Sequence, residues 1–170
     1  GGVSVTVTPT GLGANSYAYG DLAGQALLLS GVVEASRVEA HAETIDISGR
    51  VDASQVNLGN FRSVAQSSGS LSADTLTLAG SYSSESPSTV ELTSSENGIL
   101  NLQASGNFER LSVRSKGPLH VSQVSSESTT SHGSAPAFHS RHLDLRADGG
   151  DLTVAYPVSP FSSDTYNSLI

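Results

Sequence analysis

Cysteine, methionine and tryptophan are all absent from this chain of 170 residues. Without cysteine there is no disulfide, no zinc thiolate site and no thiol nucleophile. Aromatic residues make up only 5% of the chain, so a core has to be built from Val, Leu, Ile and Ala rather than around large rings. Basic residues are also scarce. Eight Lys and Arg stand against 16 Asp and Glu, for a formal charge of −8, and Lys116 is the only lysine. Phosphate backbones are held by concentrated Lys and Arg, so nucleic acid is a poor partner. No apolar run approaches the roughly 20 residues that a membrane-spanning helix needs. The longest, from Ala26 to Val33, is interrupted by Ser30 and Gly31. There is no Asn-x-Ser/Thr acceptor, no Gly-x-Ser-x-Gly nucleophile elbow and no glycine loop opening a helix to cradle phosphate. Gly1 is preceded by no basic and apolar leader, which reads as a mature product or a fragment.

What the sequence does contain is a recurring apolar-x-apolar triplet. It occurs at Val5-Thr6-Val7, Leu27-Leu28-Leu29, Ile45-Asp46-Ile47, Val56-Asn57-Leu58, Leu76-Thr77-Leu78, Val90-Glu91-Leu92, Leu100-Asn101-Leu102, Leu111-Ser112-Val113, Leu119-His120-Val121, Leu143-Asp144-Leu145 and Leu152-Thr153-Val154. Alternation with period two in β-branched and aliphatic residues is the strand pattern, and almost nothing repeats at 3.6. From Val90 to Leu119 the triplets begin 10, 11 and 8 residues apart, which leaves room for a short strand and a corner but no crossover helix. The chain is therefore predicted to be all-β. Single small residues such as Gly49, Gly59 and Gly80 separate the triplets, rather than hairpin dipeptides. That spacing predicts a parallel β-solenoid of short strands, with a β-sandwich as the alternative.

The stretch from Thr89 to Val121, with its repeated apolar-x-apolar, Ser/Thr, spacer and Gly pattern, resembles an adhesin β-solenoid family. Ile45 to Gly59 resembles the repeat coils of haemagglutinin-like secreted adhesins. The resemblance covers roughly residues 26 to 156. It implies a solenoid and a surface or extracellular binding role, and it transfers no functional residue.

The predicted organisation is an N-terminal strand, cap or arm over 1–25, a repeat body over 26–156 with an inserted loop at 122–141, and an extended tail over 157–170. Prolines in that tail forbid pairing inside a sheet. Both the tail and the N-terminal strand are candidates for pairing with another copy or another protein.

The loop supplies the candidate binding residues, Phe138, His139 and His142, with His132 nearby. A metal site is weighed at His142, Asp144 and Asp148, because His142 and Asp144 at i, i+2 share one face of a strand. The spacing matches no standard metal motif, and Gly149-Gly150-Asp151 lacks the repeats of a calcium-binding Gly-Asp array. Glu43, Asp46 and Asp52 are the carboxylates a sugar-cleaving enzyme would need to converge, but a solvated sheet face displays carboxylates anyway. The leading expectation is a non-catalytic, adhesin-like module without a cofactor, outside the cell or at its surface, binding glycan or protein. The alternative is an accessory structural subunit of a larger assembly in an envelope, filament or organelle. A polysaccharide-processing enzyme is third.

Overall fold

A computed structural model of the chain describes residues 3–5, 17–123 and 138–155. Among them there is no helix, and the strand pattern is filled almost continuously. The elements are β1 (Val3–Val5), β2 (Tyr17–Leu29), β3 (Val32–Ile47), β4 (Arg50–Gly59), β5 (Ser63–Ala65), β6 (Ser70–Ala79), β7 (Ser88–Leu92), β8 (Gly98–Ser115), β9 (Leu119–Gln123), β10 (Phe138–Ala147) and β11 (Leu152–Val154).

All pairings between these strands are parallel, and they return on themselves. β3 pairs with β4, β4 with β6, β6 with β8, β8 with β7, β7 with β5, and β5 again with β3. The result is a closed six-stranded parallel β-barrel with further strands attached. β2 and then β1 extend it from β3, while β10 and β9 are added on β8 and β11 on β9. The expectation of an open solenoid of uniformly short strands is therefore corrected, and so is the sandwich alternative.

The reason lies in two long strands. β3 has 16 residues and β8 has 18, and each holds different neighbours along its length. β3 pairs with β4 over Val32 to His41 and with β5 over Thr44 to Asp46. Triplets that look like separate short strands, such as Leu100–Leu102 and Leu111–Val113, lie on one continuous strand.

Changes of alternation turn these strands around the core. In β3, Val33 is buried and Ala35 half-buried, Arg37 is exposed, and burial resumes at Val38, Ala40 and Ala42. The register omits Ser36, Ser54, Asp74 and Leu100 at the same place in β3, β4, β6 and β8, so the bend is stacked through four strands. Leu100 is consequently 40% exposed while Ile99 and Leu102 are fully buried. A second change falls at Glu43 and Thr44, both exposed between buried Ala42 and Ile45.

Inside, like sits on like. Val38, Val56, Leu76, Leu102 and Val121 form one ladder of register partners, and Ile45, Val64, Val90 and Leu111 form another. All of these are buried. Each such aliphatic contributes about 1.5–3 kcal/mol relative to exposure. Three rings plug one side: Phe108 meets Phe138 edge-on at 6.1 Å and lies tilted 6.5 Å from Phe61.

Candidate functional site

The outward positions of three adjoining strands make the most chemically varied face. Arg110, Ser112 and Arg114 alternate along β8, flanked by Thr89 and Glu91 of β7 and by His142, Asp144 and Arg146 of β10. Register fixes their neighbours. Arg110 stands between Thr89 and His142, Ser112 between Glu91 and Asp144, and Arg114 directly beside Arg146.

Ion pairs bind the face together. Arg110 Nε is 3.7 Å from Glu91 Oε1. Arg146 Nε donates to Asp144 Oδ1 at 3.1 Å, and Arg114 Nε donates to Asp148 Oδ2 at 2.6 Å. At the neighbouring bend Arg141 Nη1 donates to Glu109 Oε2 at 2.8 Å. Between these side chains lies a recess of about 170 Å³ lined by Thr93, Ser112, Val113, Arg114, Asp144 and Arg146. Ser112 is nearly buried at its floor, and its hydroxyl has no hydrogen-bond partner among the described residues.

The predicted site residues separate into two groups. Phe138 opens β10 and is 1% exposed, its ring packed on Phe108, so it belongs to the core and not to a surface loop. His139 is half-buried and has an interaction partner. His142 is exposed on the outward face, Asp144 lines the recess, and Asp148 holds Arg114. Among the described residues no three of His, Asp and Glu gather as metal ligands would. His132, the rest of the predicted loop over 124–137 and the tail over 157–170 lie outside the described residues. In the N-terminal stretch β1 pairs with β2 of the same chain.

The carboxylates considered for sugar cleavage each have their own surroundings. Asp52 accepts from Arg50 at 2.9 Å, and Asp46 accepts from the backbone N–H and the hydroxyl of Ser67 at 3.2 and 3.1 Å. Glu43 is exposed at the second bend. The hydrogen bond with Asp52 holds the Arg50 guanidinium above its ordinary value, with the charges of Asp52 and Glu34 adding to it. A raised folded value means that the arginine's own contribution is fully present below its unfolded pKa and lost only as pH rises through the folded one. The window is strongly alkaline, so the pair sets no pH dependence near neutrality.

Sequence reasoning picked out Asp144 and His142 but missed Thr93, Ser112, Arg114 and Arg146. Their outward phase is visible in the strand pattern. The register that sets Arg114 against Arg146, across an intervening segment, is not.

These features define an all-β protein built on a closed parallel barrel, with a charged, ion-paired face and a small recess. No family model matches the chain, and no curated protein or solved structure matches it either.

Proposed function

We propose that this chain is a non-catalytic structural and binding module, adhesin-like in role, that presents the face of β7, β8 and β10 to a glycan or protein at a cell surface or outside the cell. The observation that carries the reading is the pairing of charges on that face. Arg110 with Glu91 and Arg114 with Asp148 tie adjoining segments together, Arg146 pairs with Asp144 along β10, and each carboxylate is left against a guanidinium. Glycoside cleavage needs two carboxyl groups facing one another across the scissile bond, one of them able to hold a proton. Asp144 and Asp148 instead each face an arginine and not one another. A pre-organised polar surface costs little ordering entropy on binding, which suits recognition. The extracellular placement rests on the resemblance of the sequence over residues 26 to 156 to adhesins, and not on the fold.

A second reading, an accessory subunit of an envelope, filament or organelle assembly, is favoured by β10. One edge of β10 pairs with β8, and its other edge has no strand partner among the described residues. An open edge of ten residues is a template for another strand.

Light scattering on the full chain and on a chain ending at Tyr156, with a glycan array on both, separates the two readings. A monomer in each case with array binding supports the surface module. Self-association relieved by the shorter chain supports the assembly subunit. Release of reducing ends or unsaturated products from any bound oligosaccharide overturns the non-catalytic reading.

A further inference from the structure

We infer that the recess between Arg114 and Arg146 is an anion subsite that takes the carboxylate or sulfate group of an acidic glycan lying along β8 and β10. This rests on the binding-module reading above and names its ligand chemistry.

Three observations converge. Arg114 and Arg146 are register partners on adjacent parallel strands. Side chains directly opposite each other on adjacent strands lie within reach of one shared ligand group. Each guanidinium also spends its Nε on a carboxylate, Arg114 on Asp148 and Arg146 on Asp144. Among the described residues neither makes a hydrogen bond through its terminal Nη groups. Those ends keep the fork that matches a carboxylate or sulfate. Finally, both side chains line the recess together with Ser112 and Thr93, whose hydroxyls donate and accept as a sugar requires. The volume of about 170 Å³ is below the usual 300–1,000 Å³ of a whole-ligand pocket, so it suits one charged group of a longer ligand.

Of the eight basic residues, Arg110, Arg114, Lys116, Arg141 and Arg146 fall between positions 110 and 146, and the four arginines are ion-paired, with Glu91, Asp148, Glu109 and Asp144. His142 beside Arg110 lies four residues along the strand from Arg146 beside Arg114, on the same face. That is a spacing of about 13 Å, so an extended polyanion meets basic groups twice. Asp144, also in the recess lining, is neutralised by Arg146. A glycan fits better than an acidic peptide because no exposed large hydrophobic side chain lines the recess. The exposed large hydrophobics among the described residues are Val32, Tyr82 and Leu100, none of which lines the recess. Protein hot spots are usually built around buried aromatic or aliphatic anchors.

The test is calorimetric titration of the full chain, at low salt, with an oligogalacturonate, a sulfated oligosaccharide, a neutral glucan oligomer and hexaglutamate, all of similar length. The expected result is binding of one or both acidic oligosaccharides that weakens as salt rises, and no comparable binding of the neutral sugar or the peptide. Preference between uronate and sulfate identifies the source of the anion. Arg114→Gln and Arg146→Gln should each weaken binding about tenfold, as the loss of a charge-assisted hydrogen bond does. Arg146→Lys should restore only part, because it keeps the charge without the fork. Arg50→Gln, on β4, should change nothing, and circular dichroism confirms that each variant is folded. Equal binding of neutral glucan, equal binding of hexaglutamate, unchanged affinity in the doubly substituted protein, or no binding of either acidic sugar overturns the inference. The binding-module reading falls separately, on product release or on tail-dependent self-association.

Discussion

Asn97 has a polar side chain and is completely buried. Its Oδ1 accepts from the Leu71 N–H at 2.9 Å and from Gln66 Nε2 at 2.8 Å, while its Nδ2 donates to Gln66 Oε1 at 2.8 Å and to the Leu92 carbonyl at 3.2 Å. Gln66 Oε1 accepts in turn from the Ser94 N–H at 3.2 Å. This amide pair satisfies the backbone where the chain leaves β7 and enters β8. Asn97→Leu removes every one of its side-chain bonds and strands a buried N–H, so we expect a loss of about 3 kcal/mol, read as a lower urea midpoint at unchanged slope. Phe108→Ala should cost about 3–5 kcal/mol by the same measurement, because its ring sits between Phe61 and Phe138 and the cavity cannot easily collapse. Gly49 shows the opposite constraint. A methyl group there would overlap the Gly31 carbonyl, so Gly49→Ala should destabilise by more than an ordinary surface change despite partial exposure. Arg141→Gln, which breaks an exposed pair with Glu109, should cost less than about 1 kcal/mol.

At the scale of elements, β8 organises the molecule. It pairs with β6 and β9 along its first half and with β7 and β10 along its second, and its inward residues from Ile99 to Val113 are buried. β10 and β11 each pair with one strand, and the inward residues Leu143, Leu152 and Val154 are only partly buried. Strand amides held between two neighbours open only with the larger cooperative unit, whereas edge amides open locally. Hydrogen exchange followed by mass spectrometry should therefore find the slowest amides in β8, with β10 and β11 exchanging faster. Equal protection across all three would mean that β10 and β11 belong to the same cooperative unit as the barrel.

For the whole molecule, nearly every stabilising contact is distant in sequence. Val33 lies against Val51, Leu76 against Leu102, and Leu111 against Leu143. Loop closure has to precede these pairings, so parallel sheets form slowly. Refolding followed by far-ultraviolet circular dichroism, suited to a chain without tryptophan, should have a main phase in milliseconds to seconds or slower rather than microseconds.

The strands were legible because burial with period two is a local property. The triplets at Ile45–Ile47, Val56–Leu58, Leu76–Leu78, Val90–Leu92 and Leu111–Val113 all place both apolar residues inside. Composition likewise dictated an acidic surface and a core mostly of aliphatics, but not that Phe61, Phe108 and Phe138 lie inside it. Where alternation slips, as between Ile99 and Leu102, the triplet rule put Leu100 inside when it lies outside, because a bend adds a residue that no periodicity announces. Phe138, read as a loop aromatic, is a core residue for a comparable reason: nothing near it in sequence marks Phe108 as its partner. Closure of the barrel and the juxtaposition of Arg114 with Arg146 depend on which strands become neighbours. That choice is made by the fit of whole ladders of Val, Leu and Ile across segments of different length, and only the tertiary structure decides it.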